Sequence, residues 1–326
     1  MTLPNDDLDT GDQIQNVLAV GATERHVFVL LTIYEQSNAL NPSGQLYRTT
    51  REREADSDLL LSTNDALSCL WVSDDGEVWL GSSNGNLYTT AAVAFTPHRD
   101  AGLDVALETP GLDWHITTLP ALRASGRAPQ VQALWGSNNR NVFAATAEGA
   151  LFHWDGATWT EQDSPVDTEL VMLHGSGADD VYAVGAQGVV LHYDGNAWQR
   201  VLTTPALGSD LVSAVWGTRG EQVWACTVQG RILKGNRNGV AVIAQHDGAS
   251  WYGLGFVGGK LVFADASSGA WTLERDDSLA LLKGGFAPVA LFDAGDRLYF
   301  IETDQPDPAV IEYAPRLGAP WGRRYF

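Results

Sequence analysis

The hydrophobic positions fall in short alternating runs, not at the three-to-four-residue spacing of a helix face. Runs of about four to eight residues in which apolar and polar side chains alternate describe half-buried β-strands, and Gly, Pro or Asp interrupts every window long enough for a helix. Between Val131 and Trp159 the chain reads VQALWGSNNRNVFAATAEGALFHWDGATW, and Leu170 to Trp198 repeats it without a gap at a period of 39 residues. A third copy opens at Leu211 as LVSAVWGTRGEQVWACTVQGRIL. The strand written Val-aromatic-Ala serves as a ruler. Its equivalents stand at Phe28, Trp79, Phe143, Tyr182, Trp224, Phe263 and Tyr299, spaced by 51, 64, 39, 42, 39 and 36 residues. In six of the units a glycine follows (Gly44, Gly85, Gly149, Gly188, Gly230, Gly269), and in the seventh Pro306-Asp307-Pro308 replaces it.

Each unit holds four such strands. Asp155-Gly156 and Asp194-Gly195 suit tight turns, because Asp tolerates a positive φ and Gly adopts one without a Cβ penalty. Four antiparallel strands recurring about every 40 residues describe a propeller blade, whose two faces are buried by radial stacking. The expected fold is therefore all-β: a seven-bladed β-propeller of four-stranded antiparallel blades over residues 14–326, preceded by an acidic extension, 1–13. Trp135 and Trp216 are expected to close first strands, Trp79 and Trp224 to sit on the ruler strand, and Trp159, Trp198 and Trp251 to open last strands.

The blades resemble the bacterial β-propeller repeats that read Trp-Gly-Ser/Thr, then Asp-Val-Tyr-Ala-Val-Gly, then Gly-x-x-x-His-Tyr-Asp-Gly-x-x-Trp. The match lies in Trp135-Gly136-Ser137, Trp216-Gly217-Thr218, Asp180 to Gly185 and Gly188 to Trp198, and covers Val131 to Arg231. That resemblance implies a fold and no activity. Asp155 to Trp159 and Asp247 to Trp251 are also similar to the Asp-box of sialidase-type propellers, with Asp and Gly adjacent and the Trp one residue early.

Composition narrows the partners. The 326 residues are 44% hydrophobic and 10% aromatic, enough for a large core. Twenty Lys and Arg against 40 Asp and Glu give a formal charge of -20, which opposes nucleic acid and anionic membrane surfaces as ligands. Two cysteines, Cys69 and Cys226, allow at most one bridge, and reduced thiols are the simpler expectation. The first twelve residues carry four Asp and no basic or apolar signal segment, so a cytoplasmic location and a monomer in the unbound state are expected.

The candidate chemistry reads mostly as structure. His153 and His192 share one repeat position and His174 replaces a repeat Trp, so packing is favoured over metal binding. His174-Gly175-Ser176-Gly177 aligns with Trp135-Gly136-Ser137 and lacks the Gly-x-Ser-x-Gly elbow. Asp6, Asp7, Asp9 and Asp12 lack the distal Glu of a calcium loop. A sialidase-like site needs several converging Arg, and Arg is sparse in the regular blades. No catalytic residue, metal or cofactor is expected.

Departures from the repeat are where binding residues concentrate. Three insertions stand out: a second-to-third-strand loop at 32–43, a third-to-fourth-strand connection at 91–111, and the passage at 120–129 into the third blade. A patch of Tyr34, Glu35, Asn38, Arg123, Arg127, Asp304 and Asp307 is expected on one face, with Trp114 as a further interface anchor. The function this suggests is non-enzymatic binding of a protein, a basic one being favoured by the charge, as in a bacterial immunity or adaptor protein that sequesters a toxin or effector. The alternative is a carbohydrate-binding or sialidase-like propeller, which an ordered array of aromatics around the channel would favour.

Overall fold

A computed structural model describes residues 13–35, 38–52, 56–93, 105–106, 112–218, 222–303 and 309–325. Seven antiparallel sheets follow one another, each built from four strands in chain order. The first strands are Gln13–Ala22, Leu67–Val72, Val131–Asn138, Leu170–Gly177, Val212–Thr218, Trp251–Val257 and Pro288–Asp293. They stand innermost, each packed on the first strand of the next blade, and the last on the first. All seven ruler residues lie on second strands, where both faces are buried between blades: Trp79, Phe143, Tyr182, Phe263 and Tyr299 are almost fully enclosed. The architecture is the expected seven-bladed β-propeller.

Blade direction defines two faces. First strands begin on the face that carries the passages between blades and the second-to-third-strand turns, here called the crossover face. They end on the turn face, which carries the first-to-second and third-to-fourth-strand turns. Two blades gain a fifth strand at the rim. Val105–Ala106, from the 91–111 insertion, pairs antiparallel with Ser62 and Thr63 on the outer strand of blade one. Thr203–Thr204 pairs in parallel with Val240 and Ala241 on that of blade five.

Two expectations are corrected. Residues 32–43 are not an extended loop: the second strand of blade one, His26–Glu35, continues into a long hairpin with the third, Asn38–Thr50, because Thr32, Ile33 and Tyr34 keep the alternation of a strand. Trp251 opens the first strand of blade six, not a last strand, so Asp247-Gly248 lies in the passage between blades five and six.

Among the described residues no strand is shared between the two ends of the chain. The ring is closed by side chains. Arg324, in the outer strand of blade seven, donates to the carbonyls of Thr50 and Glu52 at 2.9 Å and of Arg51 at 2.7 Å in blade one. Arg297 donates to the Arg51 carbonyl at 3.2 Å, and Arg51 pairs with Asp296. Glu312, fully buried, holds Arg297 at 3.0 Å and Arg324 at 3.1 Å. Removing one partner of a buried pair leaves an uncompensated charge. Glu312→Gln is therefore expected to lower stability by about 3–5 kcal/mol, read as an earlier midpoint in denaturant unfolding; an unchanged midpoint would show that the closure does not depend on this carboxylate.

Candidate functional site

Every first strand carries a β-bulge, at its second residue in blades two to seven and at its sixth in blade one. The pairing register slips between Val17 and Ala19, Leu67 and Cys69, Val131 and Ala133, Leu170 and Met172, Val212 and Ala214, Trp251 and Gly253, and Pro288 and Ala290. A bulge leaves one residue without a cross-strand partner and re-aims its side chain. Here that residue is Leu18, Ser68, Gln132, Val171, Ser213, Tyr252 or Val289. The first six line a central channel of about 620 Å³. Two of them tie blades together: Ser68 Oγ donates to the Val131 carbonyl and Ser213 Oγ to that of Trp251, both at 2.6 Å. On the crossover side of blades six and seven the bulged side chains are open, Tyr252 being 43% and Val289 38% exposed.

Toward the turn face the channel wall becomes aromatic, with Trp71, Trp135, His174, Trp216, Phe256 and Phe292. The rings overlap from blade to blade. A Cβ on Gly136 would lie 2.7 Å from Cη2 of Trp71, and one on Gly175 would lie 2.6 Å from Cη2 of Trp135, so the glycine of each Trp-Gly or His-Gly pair makes room for the ring of the preceding blade. His174 continues the arc, 6.4 Å from Trp135 and 5.6 Å from Trp216 between ring centroids, and Trp216 stacks on Phe256 at 5.0 Å. The Asp293 carboxylate accepts the Phe256 and Gly295 amides, each at 2.8 Å, and the Trp216 side chain. Desolvation nevertheless raises its pKa.

The His174 Nδ1 accepts the Gly217 amide at 3.2 Å. Burial among the flanking rings pushes its pKa down to about 4, so the imidazole is neutral over the physiological range. The other repeat histidines are bonded to second strands: His153 to Asn141 at 2.6 Å and His192 to Asp180 at 2.8 Å. Asp155 and Asp194 each accept two backbone amides in their turns, which holds both carboxyls below the ordinary range. Cys69 and Cys226 are buried free thiols, pushed up to about 12 by desolvation.

A second cavity, about 1130 Å³, opens on the turn face between blades seven, one and two. Several of its charged side chains are engaged: Arg51 with Asp296, Arg48 with Asp58, and Asp75 with Asn139. Among the described residues no group of three or more His, Cys, Asp or Glu could hold a metal, and no helix is long and apolar enough to cross a membrane.

The residues singled out from the sequence are only partly brought together. Tyr34 ends a strand on the crossover face, half-buried, its hydroxyl accepting Asn16 Nδ2 at 3.2 Å. Glu35 and Asn38 pair across the same hairpin end, and their side chains lie outside the described residues, as do Asp304, Asp307 and the acidic residues 1–12. Arg123 is bound back onto blade three, by Glu161 and Asp163; its passage is fastened to the rim, and Arg127 is exposed beside it. Trp114 leads into the outer strand of blade two from the turn face, half-buried against the core of blades one and two. Sequence reasoning missed Leu18, Val171, Tyr252 and Val289.

Among solved structures the chain is similar to the WD40 β-propeller domain of Doa1 (9% identity, TM-score 0.68, covering 94% of this chain and 95% of that one). It is also similar to virginiamycin B lyase from Staphylococcus aureus (12%, 0.62, 89% and 96%) and to the computationally designed Ika8 protein (15%, 0.59, 95% and 87%). At such identities the likeness concerns the fold alone. No family model matches the chain, and no curated protein matches it.

Two outcomes test this geometry. Gly175→Ala drives a methyl group into Trp135 and the Asp180 carbonyl, and is expected to cost about 1–3 kcal/mol with a changed tryptophan emission. The depressed His174 pKa means that the unfolded chain takes up the proton first, so stability falls as pH drops from about 6.5 toward about 4. His174→Phe is expected to flatten the loss in that window, measured by denaturation at stepped pH.

Proposed function

We propose that the chain is a non-enzymatic protein-binding propeller that receives its partner on the crossover face, over the mouth of the channel. The observation that carries this reading is the pair of open apolar side chains on adjacent blades, Tyr252 and Val289, set on bulges of the rigid inner strands. Leu18 occupies the same position in blade one. A partly exposed aromatic anchor with aliphatic neighbours, fixed before contact, is the kind of feature around which interface energy concentrates. The fold is compatible with protein-binding and adaptor roles. The non-enzymatic reading is supported by the ionisable groups: His153, His192, Asp155, Asp194 and the seam arginines are engaged in bonds that build blades or join them.

The charge of -20 favours a basic partner by steering its approach. In its finer form the proposal is a cytoplasmic bacterial immunity or adaptor protein of the Trp-Gly-Ser repeat type, sequestering a toxin or effector. A carbohydrate reading draws on the aromatic arc of Trp71, Trp135, Trp216 and Phe256. Sugar stacking requires open ring faces, and these rings overlap one another and the glycines of neighbouring blades. Protein binding is therefore the better-supported reading.

Affinity capture from the native cell, with the natural chain beside Tyr252→Glu and Val289→Asp, tests the proposal. The natural chain is expected to retain a stoichiometric protein, and each substitution to weaken retention at least tenfold, about 1.4 kcal/mol, without altering the unfolding midpoint. Retention on a glycan array with no protein recovered would overturn it.

A further inference from the structure

The outer strands fall into two groups. Those of blade two (His115–Thr118), blade three (Trp159–Gln162), blade four (Trp198–Arg200) and blade seven (Trp321–Tyr325) are polar or carry charges, and all pair regularly with their neighbours. Charged and short edges resist pairing with another chain. The outer strands of blade one (Ser57–Thr63), blade five (Gly239–Gln245) and blade six (Leu279–Lys283) have apolar centres. Each of these three also carries a register slip against its neighbour, at Leu60, Ile243 and Leu282 respectively.

Blades one and five have part of such an edge covered, at Ser62 and Thr63 by Val105–Ala106 and at Val240 and Ala241 by Thr203–Thr204. Blade six shares the apolar composition, yet among the described residues its outer strand ends the sheet. Leu281 is 53% exposed there. We infer that the outer strand of blade six is a strand-pairing edge through which two copies of this chain associate about a two-fold axis.

The second copy is specified by charge. The edge reads Asp276-Asp277-Ser278-Leu279-Ala280-Leu281-Leu282-Lys283, acidic and exposed at its start and basic at its end. Lys283 also stands over the Trp321 ring, 5.3 Å from its centroid. An antiparallel pair centred on Ala280 brings the Lys283 end of each strand to the Asp276-Asp277 turn of the other and sets Leu279 against Leu281. Self-complementarity of one patch is what a two-fold interface requires. Backbone pairing of a single short strand buries little area, so the association is weak and reversible. Salt strengthens it by screening the repulsion between two strongly acidic molecules.

Sedimentation of the full chain at concentrations on the order of 100 µM, where weak interfaces of this class are populated, provides the test. The natural sequence is expected to show a monomer–dimer equilibrium that Leu281→Lys shifts at least tenfold toward monomer, with unchanged unfolding. Ala280→Cys is expected to form a disulfide-linked dimer in an oxidised glutathione buffer, while the buried native thiols remain unlinked. A natural chain that is monomeric at that concentration overturns the inference, whether or not the edge binds an extended peptide from another protein. So does a dimer that Leu281→Lys leaves intact, or failure of Ala280→Cys to cross-link.

Discussion

The structure depends on how closely one blade can approach the next near the axis. First strands converge there, and in the regular blades the approach is made by a large ring laid across a residue without a side chain: Trp71 over Gly136 and Trp135 over Gly175. At Gly217 the ring facing the missing side chain is Tyr182 of the preceding blade, at 3.3 Å, while His174 accepts a hydrogen bond from the Gly217 amide. The Trp-Gly dipeptide thus records two blades at once, the glycine accommodating the preceding ring and the tryptophan reaching the following glycine. A methyl group at the glycine would displace a ring that is itself held by its neighbours, so the contact propagates around the arc.

Where the motif changes, the chemistry of the contact changes with it. Blade one places Gly21 opposite its ruler residue, and the side chain of Val72 fills the space. Blade seven offers Phe292 followed by Asp293, whose carboxylate gathers amides and the Trp216 side chain. At the junction of these two blades the ring closes without a shared strand among the described residues, through three arginines, Glu312 and the end of the third strand of blade one. Apolar overlap joins the regular blades; a satisfied buried charge network joins the ends of the chain. The latter is directional, and it fixes which blade meets which.

This difference explains what was legible in the sequence. The ruler strand, the glycines after it and the Trp-Gly pairs are local and repeated, so period and alternation reveal seven four-stranded units. Trp251 misled because Asp247-Gly248-Ala249-Ser250-Trp251 copies the residues of a third-to-fourth-strand turn in a passage between blades; the residues specify the turn but not its place in the sheet. The bulges were invisible for the opposite reason. They occur in all seven blades, so aligning the repeats leaves no gap, and only cross-strand register exposes the unpaired residue. Tyr252 and Val289 consequently look like ordinary strand residues until the sheet is built. Trp114 and Arg123 stood out because they flank insertions, yet packing against the core and ion pairing to blade three account for their positions.

Polar groups at repeated positions are largely engaged in holding turns and strands, and the proposed recognition therefore rests on apolar side chains that the backbone turns outward. On a molecule with a charge of -20, that combination has a definite physical consequence. Long-range repulsion keeps like molecules apart, whereas short-range apolar contact acts only after close approach. A basic surface is drawn in by the first effect and retained by the second, so its binding should be fastest at low salt. A second copy must overcome the first effect to reach the second, and salt works in its favour. The two proposed contacts, at the crossover mouth and at the edge of blade six, therefore respond to ionic strength in opposite directions.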